Sequence, residues 1–211
     1  MSHSGRADEG RLSIVAPNRS GRRRLILAGG ETVRVTSRDA LRAAEIDEAD
    51  ESHPADIVER LAVAEPDACM QRALRILGYR DRSTRQLARA LADDGYPQAV
   101  IAGITARLTQ LDLLDDVRFA AGFARTKAAA GWGTRRIAGG LREAGVDEEI
   151  SRVTLQEVAG DGELERALAL ARRNPPRDRR DIDRVIARLA RRGFTFDIAR
   201  KAAETAFDEH E

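Results

Sequence analysis

The chain has 211 residues, 42% of them hydrophobic but only 4% aromatic, so one or two modest cores must be filled mostly by Leu, Ile, Val and Ala, which suits packed helices better than a β-sandwich. The formal net charge of +1 conceals an asymmetry: residues 43–67 hold nine acids against one base, and residues 166–201 hold twelve bases against four acids. The single cysteine, Cys69, excludes an internal disulfide and a cysteine metal cluster, and no apolar stretch approaches the length that crosses a bilayer.

Residues 1–10 (MSHSGRADEG) are polar, carry no apolar signal core and read as a disordered tail; a reducing cytoplasm is the expected location. Residues 11–44 read as a β-hairpin element followed by a short helix. Leu12, Ile14 and Ala16 alternate with Ser13 and Val15 in a short strand ended by Pro17, and Asn18-Arg19-Ser20-Gly21 is a turn. Leu25-Ile26-Leu27 and Thr32-Val33-Arg34-Val35 flank the bend Ala28-Gly29-Gly30-Glu31. Two or three such strands are too few to stand alone and should pack on helices or on a partner. Ser37 can cap a helix running to about Ala44. Residues 45–66 are an acidic linker and helix: Pro54 suits a first helical position, Asp56 to Ala64 reads as helix, and Pro66 is expected to end or restart it. The acids Asp47, Glu48, Asp50 and Glu51 read as a solvated run.

The remainder repeats. Glycine stops fall at Gly95, Gly145 and Gly193, spaced by 50 and 48 residues, and each is followed by an apolar residue, Tyr96, Val146 or Phe194. Eight and four residues before each glycine lie Leu87 and Leu91, Ile137 and Leu141, and Val185 and Leu189. Val100, Ile150 and Ile198 follow five residues after the glycines, and Leu108, Val158 and Ala206 follow thirteen after. These registers imply three tandem units of three short helices at residues 67–112, 113–159 and 160–211. The fold class is therefore mainly α, tandem three-helix repeats in an elongated array, with a small N-terminal β-hairpin element.

Within the first repeat, Leu74 and Leu77 are expected to face the core, Ser83 caps the second helix with Gln86 three residues on, and Pro97 opens the third. The second repeat begins at Asp115-Asp116, a capping pair, places Phe119 and Phe123 on one stripe with Lys127 nearby, and breaks from Ala128 to Gly133 around Trp132. In the third, Pro175-Pro176 ends a helix carrying Leu164, Leu168 and Ala171.

No stretch carries catalytic chemistry. His3, His53 and His210 form neither a metal spacing nor an acid–base pair. Ala28-Gly29-Gly30 lacks the lysine ending of a phosphate loop, and Asp93-Asp94 read as exposed helix-end acids. Neither catalytic residues, a metal site nor a cofactor is expected. The charged surface is more informative, because 34 of the 36 basic residues are arginine, the exceptions being Lys127 and Lys201. A GC-rich genome raises arginine content, and an anionic partner uses its planar fork; the two readings are compatible. Arg75, Arg80, Arg82, Arg85 and Arg89 gather in repeat 1. Arg125, Lys127, Arg135, Arg136 and Arg142 surround Trp132 in repeat 2. Arg172, Arg173, Arg177, Arg179, Arg180 and Arg184 follow the first helix of repeat 3, with Arg188, Arg191 and Arg192 beyond. Any one of these could be the solvated partner of a nearby acid. Their recurrence at the inter-helix corner points to a positive stripe suited to phosphates or an acidic groove. Trp132, between two glycines, is either a packing residue or a partly exposed ring able to stack on a base.

The run Leu113-Leu114-Asp115-Asp116-Val117-Arg118-Phe119-Ala120, then Phe123-Ala124-Arg125, Gly131-Trp132-Gly133-Thr134-Arg135-Arg136-Ile137 and Gly145-Val146, closely resembles the RecX family, bacterial regulators of the RecA recombinase. Ala73-Leu74-Arg75 through Ser83, Leu87, Leu91-Ala92 and Gly95-Tyr96 is similar to that family's first helical repeat, and the resemblance spans about residues 67–207. It implies a non-enzymatic protein that lies in the groove of the RecA–DNA filament and damps ATP hydrolysis, strand exchange and coprotease activity; apart from that resemblance, a monomer is expected. Single- or double-stranded DNA would be touched only weakly. The contact set then expected is Arg75, Arg82, Arg85, Arg89, Arg125, Lys127, Trp132, Arg135, Arg136, Arg142, Arg172, Arg173, Arg179, Arg180 and Arg184. A stand-alone DNA-binding helical module is the alternative, since three-helix units resemble helix-turn-helix domains.

Overall fold

The computed structural model describes residues 12–16, 21–28, 31–47, 49–160 and 162–210. The N-terminal tail, the turn at Asn18-Arg19-Ser20, the bend at Gly29-Gly30 and Glu48 of the acidic run lie outside the described residues. The chain forms two compact units, one ending at Leu114 and the other beginning at Asp115.

The first unit opens with an antiparallel sheet of β1 (Leu12–Val15), β2 (Arg23–Ala28) and β3 (Glu31–Ser37), in that order. Ile14 faces Ile26 across one pair and Leu25 faces Val35 across the other. Ile26 joins the helical core, so the sheet gains the second layer that a three-stranded ribbon needs. Ser37 ends β3 and caps α1 (Arg38–Ala43), its hydroxyl accepting from Ala40 N–H at 3.0 Å.

Helix α2 runs unbroken from Pro54 to Leu77, contrary to the break expected at Pro66. Pro66 removes one N–H and frees the carbonyl of Ala62, but both residues lie on the exposed side, where the carbonyl is open to solvent and its lost bond is cheap. The opposite stripe of Ile57, Leu61, Ala68, Cys69, Ala73 and Ile76 is buried, and it holds the helix together across the proline. The acidic segment and the first helix of repeat 1 are therefore one element. Leu74, expected in the core, is 38% exposed; Ala73 and Ile76 take the inward positions instead.

Helices α3 (Thr84–Asp94) and α4 (Gln98–Gln110) complete repeat 1. Ser83 caps α3 through Gln86 N–H at 3.1 Å. Gly95 stops α3 at φ 100°, a left-handed conformation open to glycine. A Cβ there would stand 2.3 Å from the carbonyl oxygen of Thr36, so the turn is also where β3 closes against repeat 1. Burying Leu87 and Leu91 completely stabilises the repeat by about 2–3 kcal/mol each.

The second unit holds repeats 2 and 3. Repeat 2 comprises α5 (Asp116–Ala129), α6 (Thr134–Ala144) and α7 (Glu148–Gly160). Repeat 3 comprises α8 (Glu163–Arg172), α9 (Arg179–Arg191) and α10 (Phe196–Asp208). Asp115 caps α5 by accepting from Val117 and Arg118 N–H, at 2.8 and 2.9 Å. The register read from the glycine spacing holds in the core: Leu87, Leu91, Ile137, Leu141, Val185 and Leu189 are all buried, as are Tyr96, Val146 and Phe194 after the glycines. In repeat 3 the first helix buries Ala167 and Ala171, while Leu164 and Leu168 are only partly covered.

Candidate functional site

Helix α6 meets repeat 3 through its first turn. Its N-cap is Gly133, which has no side chain to offer the free N–H groups, and repeat 3 supplies the acceptors. Gly133 N–H donates to Arg192 O at 2.9 Å, Arg135 N–H to Gly193 O at 3.0 Å, and Thr134 N–H to Glu163 Oε1 at 2.9 Å. The Thr134 hydroxyl adds a 3.0 Å bond to the same carboxylate oxygen. A Cβ on Gly133 would fall 2.3 Å from the backbone of Gly193 and Phe194, and one on Gly193 would fall 2.4 Å from Arg136 Cβ. Two glycine turns thus touch main chain to main chain, and the corner carrying Trp132, Arg135 and Arg136 is rigidly placed.

Trp132 is half-buried rather than open. Lys127 Nζ lies 4.8 Å and Arg136 Cζ 4.0 Å from its ring centre, and Lys127 also stands 5.4 Å over Phe123. Phe123 stacks on Phe119 at 6.0 Å. Each cation–π contact contributes about 0.5–1 kcal/mol at such a site. A base stacking on Trp132 would therefore have to compete with resident cations.

The other expected contact residues divide by whether a carboxylate already holds them. Arg75 pairs with Asp39 at 2.6 Å, Arg184 with Asp181 at 2.6 Å, and Arg172 makes a two-pronged bond to Glu209 at 2.7 and 2.5 Å. The hydrogen bond from Arg172 also pulls the Glu209 carboxyl below its usual range. By contrast, Arg85, Arg89, Arg125, Arg135, Arg142, Arg173, Arg179 and Arg180 make no ion pair among the described residues, and all are exposed. Arg82 is half-buried at the α2–α3 corner; burial and the neighbouring Arg80 lower its pKa.

The 50- and 48-residue offsets superpose some of these arginines. Arg75, Arg125 and Arg173 occupy one repeat position near the end of the first helix, and Arg85 and Arg135 occupy another at the start of the second. Arg82 corresponds to Trp132. Arg75, Arg125 and Arg173 are exposed in all three repeats and Arg85 and Arg135 in two, whereas Arg82 and Trp132 are half-buried. Arg142 also lines a cleft of about 380 Å³ between α6 and α7, with Val146, Arg152 and Leu155.

Several buried acids that position these elements escaped the sequence reading. Asp94 is buried rather than exposed, bonded to Arg72 Nε at 2.6 Å with Arg22 Nε at 4.0 Å. Glu65 is wholly buried and accepts from Thr36 Oγ1 at 2.8 Å and Arg34 Nη2 at 2.5 Å, tying β3 to α2. Glu163 does the same for α6 and α8. An acid in an otherwise apolar helical stripe was the only available signal for Glu65. Among the described residues, no helix is long and apolar enough to cross a membrane.

Comparison with known proteins agrees with this architecture. Residues 69–108 match the first three-helix domain of RecX, and residues 115–155 match the second. The regulatory protein RecX of Halorhodospira halophila is 36% identical over 154 residues, covering 71% of this chain and 95% of that protein. RecX of Mycolicibacterium smegmatis is 33% identical over 162 residues, covering 70% of this chain and 86% of its own. A crystal structure of regulatory protein RecX superposes with a TM-score of 0.61 at 22% identity, covering 92% of this chain and 99% of that one. RecX from Lactobacillus salivarius gives 0.63 at 22% identity over 70% of this chain and 99% of its own, which is likeness of fold. With two three-helix domains matched in order and a relative followed over nearly its whole length, the chain belongs to the RecX family.

Proposed function

We propose that this protein is a non-enzymatic regulator that binds the RecA–DNA filament and modulates it, mostly by inhibiting ATP hydrolysis, strand exchange and coprotease activity. Family membership supports the partner. The observation that carries the mode of binding is the set of exposed arginines without ion pairs among the described residues, which recurs at equivalent positions of two repeats, Arg85 with Arg135 and Arg125 with Arg173. Each such guanidinium presents a fork suited to phosphate or carboxylate and has no acid to displace first among the described residues. Several modest contacts borne on one chain add by raising the effective concentration of the next, which is how a small protein can hold a polymer. The protein acts as a monomer in the cytoplasm and needs no cofactor.

The direct test adds the pure protein to RecA on single-stranded DNA and follows ATP hydrolysis. A dose-dependent fall in rate is expected; an unchanged rate at saturating protein overturns the proposal. The second reading is a free-standing DNA-binding module, favoured by the same unpaired arginines. Sequence-specific duplex binding without recombinase, together with no effect on the filament, would establish it in place of the first.

A further inference from the structure

We infer that a cleft in repeat 3 binds a phosphate group. The cleft encloses about 220 Å³ and is lined by Leu170, Arg173, Asn174, Arg188, Leu189 and Arg192. Three arginines line one small space, and none of them forms an ion pair among the described residues. Two approach main-chain carbonyls: Arg188 Nη2 donates to Asn174 O at 2.9 Å, and Arg192 Nη1 makes a longer, weaker contact with Ala130 O at 3.4 Å. Those bonds orient the side chains without neutralising a full charge. A guanidinium has five N–H groups, so most donors of all three arginines remain.

Helix ends account for part of this clustering. Helices α8 and α9 both terminate beside the cleft, at Arg172 and Arg191, and each carbonyl end is equivalent to roughly half a negative charge. Three arginines against two such ends leave a surplus of about two positive charges. One carboxylate would satisfy a single fork and leave cations facing each other. A phosphate group matches both the charge and the number of donors, because its oxygens can accept from several forks at once. The cleft is larger than a bare phosphate needs, and Leu170 offers an apolar wall for the sugar that carries it. The site uses only this chain and stands or falls apart from any recombinase.

Calorimetric titration of the full-length protein with pyrophosphate tests the assignment. Saturable binding of one equivalent is expected. Arg173→Ala, which removes an exposed side chain with no ion pair, should weaken it by about tenfold or more. Arg173→Lys should recover part of the loss, and circular dichroism should be unchanged in both. Absence of saturation in the parent protein, or equal affinity in Arg173→Ala, overturns the proposal. Arg188→Lys provides a second variant that keeps the charge while losing the fork, and it too should bind more weakly. A thymidine oligomer then identifies the source. Displacement of pyrophosphate by the oligomer assigns the cleft to nucleic-acid backbone, and simultaneous binding of both assigns it to a free phosphate ligand such as a nucleotide.

Discussion

Glu163, the first residue of α8, accepts the backbone N–H and the hydroxyl of Thr134, the first residue of α6, with both donors about 3.0 Å or less from one carboxylate oxygen. An acid at a helix start ordinarily serves its own first turn. Here it caps the helix of the preceding repeat, whose own N-cap is a glycine. The carboxylate is buried, so the bond is both strong and costly to lose.

Glu163→Ala leaves the Thr134 N–H without its acceptor and should destabilise the second unit by about 1–3 kcal/mol. Urea denaturation followed by circular dichroism measures this as a lower midpoint. In a double-mutant cycle, Thr134→Ala should lose most of its effect once Glu163 is gone. Additive losses would show that the two residues act separately.

The contact between Gly133 and Gly193 has no room for a side chain. Gly193→Ala would place a Cβ 2.4 Å from Arg136 Cβ at a φ of 91°, and should cost about 3 kcal/mol or more. Gly122→Ala is the counterpart: nothing lies within 4 Å of its added Cβ in the interior of α5, so it should stabilise the protein by about 0.5–1 kcal/mol. Thermal melts of the two variants should move in opposite directions.

Burial, with Glu65 and then Asp94 nearby, pushes the Cys69 thiol up to about 12. Burial likewise pushes Tyr96 up to about 12. Both groups hold their protons more tightly folded than unfolded, where the thiol titrates near about 8.5 and the phenol near about 10. Their contribution to stability is therefore complete below about pH 8 and declines as pH rises toward 12. Cys69→Ala should remove the earlier part of that decline. At pH 8, native Cys69 should react with a thiol reagent only at the rate of opening.

Charge reversal of the unpaired arginines tests the proposed binding surface. Arg85→Glu and Arg135→Glu alter equivalent exposed positions in repeats 1 and 2 and break no ion pair among the described residues. Each should weaken filament binding without changing helical content, and affinity in the parent should fall steeply with salt. Arg172→Glu, whose partner Glu209 already holds the parent side chain, should lose less affinity than Arg135→Glu. Equal affinities across the series would count against the placement.

Local chemistry made much of this protein legible in its sequence. Ser37, Ser83 and Asp115 cap helices where their side-chain types require it, and the glycine stops with their flanking apolar residues reported three repeats, because backbone preference and 3.6-residue periodicity act over a few neighbours. Tertiary packing decided the rest. It carried α2 through Pro66, turned Leu74 outward, and buried Glu65, Asp94 and Glu163 against partners 29, 22 and 29 residues away in the chain. It also sorted the arginines, binding Arg75, Arg172 and Arg184 to acids and leaving Arg85, Arg135 and Arg173 without an acid partner among the described residues. A side chain's charge is written in the sequence, but whether that charge is already answered depends on which distant carboxylate the fold brings within about 4 Å.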